Sequence, residues 1–161
     1  DSDEDYNDTN VHVTWNLEGS AGEDSLAGTE WSNVIAGGSG NHILTGGVGD
    51  DLFVWREGGD GTIAAPASDV IKDFAIDADA IDLSDLFEIA AGKSLDDYLH
   101  IKTEDVTGDS SLDSVISVSP GGDGSVGVTQ TIALDGVDYS SIGSSHDILA
   151  SLVTDGKLIV D

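Results

Sequence analysis

The sequence of 161 residues lacks several features that would place it in common protein classes. It contains no cysteine, so no disulfide bond can stabilise the fold, and thiols give no indication of the compartment. It has no run of about 18 apolar residues, which excludes a membrane-spanning helix. It also has no amino-terminal segment with a basic start and an apolar middle, so no cleavable signal peptide is predicted.

Basic residues are scarce, whereas acidic residues abound. Thirty-two Asp and Glu residues oppose five Lys and Arg residues, which gives a formal net charge of −27. Repulsion of this size opposes a compact state and argues against nucleic acid or an anionic membrane as a partner. The acids therefore either keep the chain soluble or hold hard cations such as Ca²⁺, and their positions must decide between the two.

Glycine is abundant and recurs with a fixed period of nine residues. The first position of the period is always glycine, the eighth is always large and apolar, and the fourth is glycine except at Trp31. An acidic, glycine-rich linker would keep neither this register nor the apolar eighth position, so the period indicates a repeat architecture. The four units are GSAGEDSLA (19–27), GTEWSNVIA (28–36), GGSGNHILT (37–45) and GGVGDDLFV (46–54).

A nine-residue unit of this kind predicts half a turn of a coil. Glycine accepts the positive φ angles of tight turns, so positions one to six are expected to bend. Positions seven to nine are expected to extend as a short strand whose eighth residue points inward. Two units then complete one turn of a right-handed solenoid, and stacked turns bring two sixth-position side chains and several carbonyl groups together. Such an oxygen cage suits Ca²⁺.

The repeat resembles that of the RTX (repeats-in-toxin) proteins, whose β-roll binds several Ca²⁺ ions. In that family, the earlier of two stacked turns gives the carbonyl groups of positions two and four and the sixth side chain. The turn two units later gives the carbonyl groups of positions one and three and its own sixth side chain. The resemblance implies a first site from Ser20, Gly22, Asp24, Gly37 and Ser39, with His42 in the remaining place, and a second site from Thr29, Trp31, Asn33, Gly46, Val48 and Asp51.

Two of these places depart from the family pattern. Imidazole is a poor ligand for a hard cation, so we predict that His42 does not bind calcium. Its site is then expected to be weaker or to hold a water molecule in that place. Asn33 offers a carbonyl oxygen, which keeps the second site intact in kind with one negative charge fewer.

Acidic residues beyond the repeats are candidates for further calcium sites. They are expected to continue the two edges along which the turns stack, and plain solvation of these later acids remains the alternative. The expected sets are Asp51 and the carbonyl groups of Gly47 and Gly49 with Asp69 or Asp73, and Asp60 with the edge of His42.

The rest of the chain resembles the carboxy-terminal region of large bacterial RTX adhesins that are exported by type I secretion. The resemblance implies an uncleaved secretion signal within residues 100–161, the type I secretion machinery as a partner, and the remainder of an adhesin upstream. It also implies a secreted, extracellular protein at the cell surface. The stretches that carry it are GGVGDDLFVW, DVIKDF, DAIDLSDLF, YLHI, DSVISVS, QTIALDGVD, DILASLV and DGKLIVD.

These patterns predict a mostly all-β protein. A right-handed parallel β-roll is expected to pack on, or continue into, a β-sandwich-like C-terminal domain with one or two short helices. The expected divisions are an acidic linker and capping strand over 1–18, the calcium-binding roll over 19–61, and a β-rich domain with the secretion signal over 62–161.

No motif in the sequence indicates catalysis. The four histidines are scattered, and HExxH, GxSxG and a cysteine nucleophile are all absent. We therefore predict a non-enzymatic calcium-binding module of a secreted adhesin, with roles in cell adhesion and biofilm formation. It would fold on extracellular Ca²⁺ and support type I secretion, without nucleic-acid binding or membrane insertion. Two alternatives stay open: the C-terminal module of a secreted protease or lipase, and a calcium-dependent sugar- or peptide-binding module.

Overall fold

The computed structural model describes residues 15–161, which form two β-sheets and little helix. Part of the expected capping strand and the acidic linker, residues 1–14, lie outside the described residues. The predicted all-β class is confirmed. The strands are β1 (Trp15–Glu18), β2 (Asp24–Thr29), β3 (Asn33–Ala36), β4 (His42–Gly47), β5 (Leu52–Val54), β6 (Ala67–Ile71), β7 (Ala80–Asp82), β8 (Leu99–Glu104), β9 (Asp113–Val118), β10 (Gln130–Leu134) and β11 (Leu158–Ile159).

Alternate strands of the repeat region go to opposite sheets. The first sheet has the order β1-β3-β5-β7-β11 and is parallel throughout. The second has the order β2-β4-β6-β10-β9-β8, with parallel pairing as far as β10 and antiparallel pairing beyond it. Within the repeats, Asp24 pairs with His42 and Val34 with Leu52, so residues 18 apart stack as the period predicts.

The stacking continues after the repeats, but with longer connections. Strand β4 pairs with β6 across a separation of 27 residues, and β5 pairs with β7 across 28. The extra residues form the loops before β6 and β7. Because both sheets run on without a break, the roll continues into the C-terminal part, and the division at residues 61 and 62 stays a prediction.

The strands begin earlier in the repeat than expected. Strand β4 starts at His42, the sixth position of its unit, whereas the sequence analysis assigned this position to the bend. Side chains alternate along a strand with a period of two, so positions six and eight share one face. Both are therefore buried, as Asn33 with Ile35 and His42 with Leu44 show. The sixth-position side chains of Asn33, His42 and Asp51 therefore lie inside the roll, whereas that of Asp24, in the first unit, is only partly buried.

Apolar side chains from both sheets form one hydrophobic core. Phe53 from the first sheet and Leu44 from the second are both buried there, and Phe53 lies 6.3 Å from Phe74 between ring centroids. Helix α1 (Ser145–Thr154) covers the antiparallel end and buries Ile148, Leu149 and Leu152. Two 3₁₀ turns, Leu95–Asp97 and Gly124–Val126, complete the described elements.

Helix α1 matches the helix expected from the segment SSHDILASLV. Its first turn is a capping box, in which Ser144 and Asp147 each accept a hydrogen bond from the other residue's backbone N–H. Gly156, with a φ of 69°, follows its last turn. Within residues 15–161, no helix has the length and apolar composition needed to cross a membrane.

Replacing Leu44 by alanine should lower the free energy of unfolding by about 2–5 kcal/mol, because a fully buried side chain leaves a cavity. Ile43 is the matched control, since it is the next residue of β4 and is 49% exposed. The change Ile43→Ala should cost about 1 kcal/mol or less. Urea unfolding in the presence of calcium measures both, and equal losses would contradict the assignment of the inner face.

Candidate metal centre

The turns of the roll stack with their backbones in contact along two edges. We define the first edge as residues 19–24 and 37–42, and the second edge as residues 28–33 and 46–51. At five of the glycines on these edges, an added Cβ atom would lie less than 3.0 Å from a carbonyl oxygen of the neighbouring turn. Only glycine therefore fits. The pairs are Gly19 with Gly37, Gly38 with Ser20 and Gly40 with Gly22 on the first edge, and Gly28 with Gly46 and Gly47 with Thr29 on the second.

These contacts show that backbone oxygens face the neighbouring turn. Ser20 and Gly22 occupy positions two and four of the earlier turn, and Gly37 occupies position one of the later turn. These are three of the four carbonyl groups that the family pattern places around calcium on the first edge. The fourth, that of Ser39, accepts a hydrogen bond from the Gly22 N–H, as the Thr29 carbonyl does from the Val48 N–H on the second edge, and each carbonyl oxygen keeps a further lone pair.

A ladder of hydrogen bonds links the sixth positions of successive turns. In each step, the backbone N–H of one sixth-position residue donates to the side chain of the corresponding residue one turn later. The distances lie between 2.7 and 3.2 Å. The four steps are Asp24 N to His42 Nδ1, His42 N to Asp69 Oδ1, Asn33 N to Asp51 Oδ1, and Asp51 N to Asp79 Oδ1.

On the first edge, His42 uses its imidazole as a hydrogen-bond acceptor. Its side chain is fully buried, and Nδ1 lies 3.2 Å from the backbone N of Asp24 and 3.8 Å from Asp24 Oδ2. In a neutral ring, this acceptor role places the proton on Nε2. The Asp24 carboxylate instead accepts hydrogen bonds from the backbone N–H and the hydroxyl of Ser20. The histidine thus replaces a metal-ligand oxygen with a direct contact between turns, and its exclusion from calcium stays a prediction.

Asp69 continues the first edge and is fully engaged by the protein. Its Oδ1 accepts from the His42 N–H at 2.7 Å, and its Oδ2 accepts from Trp55 Nε1 at 2.7 Å and from Gln130 Nε2 at 2.8 Å. Burial raises the pKa of Asp69, and the hydrogen bonds from Trp55, His42 and Gln130 offset part of that rise. We call this group of four residues the Asp69 clasp. It ties the last repeat turn, through Asp69, to Gln130, which lies 61 residues after Asp69.

Asp60 lies elsewhere, although the period of 18 residues would align it with His42. Its carboxylate accepts a hydrogen bond from Thr129 Oγ1 at 2.6 Å. The structure places Asp69, and not Asp60, in register with His42. The inserted loop before β6 accounts for the shift.

The second edge contains a buried carboxylate oxygen without a donor. Asp51 is 2% exposed, and its Oδ1 accepts from the Asn33 N–H at 2.8 Å. No described residue donates a hydrogen bond to its Oδ2, which faces Gly46. Burial raises the pKa of Asp51, and the charges of Asp79, Asp73 and Asp50 raise it further. An unsatisfied oxygen next to stacked backbone carbonyls fits a hard cation such as Ca²⁺.

Asp69 and Asp73, the acids expected to pair with Asp51, make other contacts in the structure. Asp73 accepts hydrogen bonds from the N–H groups of Gly46 and Gly47 at 2.8 and 2.9 Å, and Asp69 belongs to the first edge. The residue in register with Asp51 is Asp79, which the sequence analysis did not name. A usable signal exists, because Asp79 directly precedes the strand AID as Asp51 directly precedes LFV.

Backbone oxygens must supply most ligands of any cation in these edges. No three His, Asp or Glu side chains in the described part of the chain converge on a point that could hold a metal ion. Of the expected ligands on the second edge, Asn33 accepts from the N–H and hydroxyl of Thr29. Trp31 and Val48 are exposed at the rim and offer only their carbonyl groups. Gly47 and Gly49, whose carbonyl groups were also expected to bind calcium, lie in the same turn as Val48.

The parallel two-sheet coil, with glycine turns and sixth-position carboxylates, defines an RTX-type β-roll. The chain belongs to the family described as Peptidase M10 serralysin C terminal, whose model matches residues 10–118. This family is an RTX-type β-roll that binds Ca²⁺, and it is distinct from the peptidase catalytic domain. Its modules are secreted and are linked to type I secretion.

Solved structures with a similar fold include two subunits of the Azotobacter vinelandii mannuronan C5-epimerase. The solution structure of AlgE6R2 has a TM-score of 0.58 and 20% identity, covering 94% of this chain and 95% of that one. The solution structure of AlgE6R3 has a TM-score of 0.50 and 23% identity, covering 80% and 78%. At these identities they show the fold alone. Comparison with curated proteins finds no match.

Replacing Gly40 by alanine should destabilise the roll more than replacing Gly58 by alanine. Both glycines have positive φ angles, 134° and 80°, so both changes introduce backbone strain of about 1–3 kcal/mol. A Cβ at Gly40 would also clash with the Gly22 carbonyl oxygen, whereas a Cβ at Gly58 meets open space. Urea unfolding of the two variants isolates the clash, and equal losses would argue against backbone contact between the turns.

The metal-free protein should become more stable as the pH falls from 7 toward about 4. Burial raises the pKa of Asp51, Asp69 and Asp79 above the ordinary value of 3.8. A raised folded-state pKa means that folding takes up protons. The resulting stability is complete below the unfolded-state pKa and is lost as the pH rises through the folded-state pKa. Thermal unfolding midpoints of calcium-free protein across this range measure the trend.

At still lower pH, the stability of the metal-free protein should decrease again. Hydrogen bonds from neighbouring serine residues lower the pKa of several exposed carboxyl groups, so the stability they give is lost as the pH falls through their folded-state values. A midpoint that falls steadily from pH 7 would show that the raised groups do not dominate. The lowered groups are Asp97, Asp109, Asp138 and Asp147.

Proposed function

We propose that the chain is a calcium-dependent folding module that supports type I secretion of a larger secreted protein. The observation that carries the proposal is Asp51, a buried carboxylate whose Oδ2 has no donor among the described residues. Membership of an RTX-type family supports the choice of Ca²⁺ as the missing partner. The proposed ligands of the second edge are those that the family pattern implies: Thr29, Trp31, Asn33, Gly46, Val48 and Asp51.

The energetics favour a switch that calcium controls. Without a cation, buried carboxylates at the second edge repel one another, and five basic residues cannot neutralise thirty-two acids. Because the ligands come together only in the folded state, the free energy of metal binding becomes free energy of folding. Each site adds RT ln(1 + [L]/Kd), which is about 1.4 kcal/mol at ten times Kd.

This linkage gives the module a direction of transport. Extracellular calcium modules bind with a Kd of about 10⁻⁴–10⁻³ M, so their sites stay largely empty inside a bacterium. The chain is then loose enough to pass through an export channel. At millimolar calcium outside the cell, the chain folds, and the folded chain cannot easily pass back through the channel. The proposed secretion signal lies within residues 100–161, in the proposed C-terminal domain, 62–161.

The first edge is proposed to contribute less to the calcium response. His42 already bridges the turns, and the Asp69 clasp satisfies its own carboxylate. A cation there would rely on Asp24 and on backbone oxygens, including those of Ser20, Gly22, Gly37 and Ser39. For Asp60, Asp69 and Asp73, hydrogen bonds within the protein are the alternative to calcium contact.

Two kinds of parent protein agree with the module. The order of the C-terminal motifs supports a cell-surface adhesin, the context proposed from the sequence. The serralysin family match supports a secreted enzyme instead. The upstream sequence distinguishes them, because tandem Ig-like repeats belong to an adhesin and a zinc or serine-hydrolase motif to an enzyme. A sugar- or peptide-binding role remains a prediction. Glycan and peptide arrays, probed with and without calcium, would test it.

Calcium should raise the melting midpoint and the β-structure signal of the wild-type protein, because it stabilises only the folded state. Circular dichroism and calorimetry over a calcium titration measure this, with Mg²⁺ as a control of equal charge. The variant Asp51→Asn keeps the acceptor for Asn33 N–H but removes a charge. It should require about tenfold more calcium, equivalent to ~1.4 kcal/mol. Equal folding in excess chelator and in calcium would refute the proposed switch.

A further inference from the structure

We infer that the outer side of the second edge is a binding surface for a partner segment that combines basic and apolar side chains. The inference goes beyond the proposed function, because it depends on exposed side chains of the folded roll and on no bound ion. Three large apolar residues carry it, and we call them the apolar rim: Trp31, Val48 and Ile76.

The residues of the apolar rim lie on three consecutive turns of the roll. The Val48 N–H donates to the Thr29 carbonyl oxygen at 2.9 Å, which joins the two turns of the second edge. The Gly46 N–H donates to Asp73 Oδ1 at 2.8 Å, which adds a third turn, residues 73–79. Paired strands lie about 4.8 Å apart, so one partner segment can contact side chains from all three turns.

Large apolar side chains are exposed on these turns, where they add little to the core. Trp31 is 64% exposed, Val48 70% and Ile76 47%. Trp31 also stands at the fourth position of its unit, where the other three units have glycine. The first edge stacks in the same way but has small residues on its turns, such as Ala21 and Ser39. Single exposed apolar residues are ordinary, whereas a row of three on one edge indicates an interaction surface.

Acidic residues flank the apolar rim, and no base in these turns balances them. Glu30, Asp50 and Asp77 are exposed, one in each turn, and the three turns contain neither lysine nor arginine. Lys72, which directly precedes the third turn, is paired with Asp135. The surface therefore selects a partner of positive charge.

The same charge argues against other occupants of this edge. A second copy of the chain would bring a further net charge of −27 toward it, and the two copies would repel each other. An anionic membrane surface would be repelled for the same reason. A basic segment of another protein meets neither obstacle.

Arginine next to aliphatic side chains is the chemistry that fits this surface best. A guanidinium group stacks favourably on an exposed indole such as that of Trp31, and it pairs with carboxylates such as that of the preceding residue, Glu30. The methylene stem of arginine covers apolar surface while its charged end stays in water. Leucine side chains of the same segment would cover Val48 and Ile76.

A short synthetic peptide of arginine and leucine is the probe, and NMR locates where it binds to the wild-type protein in millimolar calcium. The backbone amide resonances of residues 28–33, 46–51 and 73–79 should shift more than those of the first edge. Two comparison peptides have serine in place of leucine and glutamate in place of arginine. Each should bind about tenfold more weakly or worse, because the surface requires both kinds of contact.

Matched variants separate the apolar rim from the rest of the surface. Trp31→Ala should weaken peptide binding about tenfold and Ile76→Ser about threefold, since an aromatic anchor contributes most at an interface. The control for Ile76→Ser is Ile63→Ser, because Ile63 is 64% exposed and lies in the loop before β6. It should leave the dissociation constant unchanged, and isothermal titration calorimetry measures all three constants.

Several outcomes would overturn the inference. Equally tight binding of the arginine–serine peptide, or amide shifts spread over both edges, would show attraction by charge alone. Equal weakening by Ile63→Ser and Ile76→Ser would show that the apolar rim has no special part. Self-association that Trp31→Ala abolishes would identify a second copy as the occupant, and binding to phosphatidylcholine vesicles a lipid surface. The resonance shifts come from the wild-type protein, so they decide the matter even if a variant fails to fold.

Discussion

Contact between the backbones of stacked turns is the constraint on which the rest of this structure depends. Carbonyl oxygens of one turn occupy the space where a side chain of the next would begin, as at Gly40 and Gly22. This contact sets the spacing of the turns and aligns every sixth position with the next. It also brings polar atoms close together in the interior, where each needs a partner. The hydrogen-bond ladder and the proposed calcium sites are two answers to the same requirement.

The two edges meet this requirement with different chemistry. On the first edge, an imidazole and the Asp69 clasp give direct protein contacts between turns. On the second edge, one oxygen of the buried Asp51 carboxylate accepts no hydrogen bond from any described residue. Hydrogen bonds link the turns of both edges, but only the second edge has an unsatisfied carboxylate oxygen suited to a cation. A single repeat pattern supports both because it leaves the residue at the sixth position free to vary.

Regular periodicity explains what the sequence could predict. The nine-residue period and the apolar eighth position determine, within the repeats, the parallel pairing in both sheets, the register of 18 residues and the inner face of each strand. The helix near the C-terminus was predictable from its capping residues, Ser144 and Asp147. The family pattern likewise placed the carbonyl groups of Ser20 and Gly22 between the turns.

The rest of the candidate site depends on features that have no period. Insertions before β6 and β7 change the separation from 18 to 27 and 28 residues, so Asp69 and Asp79 take the places that counting assigns to other acids. The contact between Asp69 and Gln130 spans 61 residues and follows from the order of strands in the second sheet. Local sequence carries no information on such a contact. The burial of sixth positions was also missed, because the strands extend back to include position six, which then shares the inner face with position eight.

The Asp69 clasp has a consequence for the order in which the chain folds. A stack in which each turn contacts only its neighbours behaves as a one-dimensional array, and structure spreads from wherever the first stable unit forms. The clasp sits where the repeats meet the non-repeating strands, and its contacts are hydrogen bonds between protein groups. We expect this junction to act as the nucleus, with repeat turns adding from the C-terminal side toward the N-terminal side. The non-repeating half then serves as a template for the repeats.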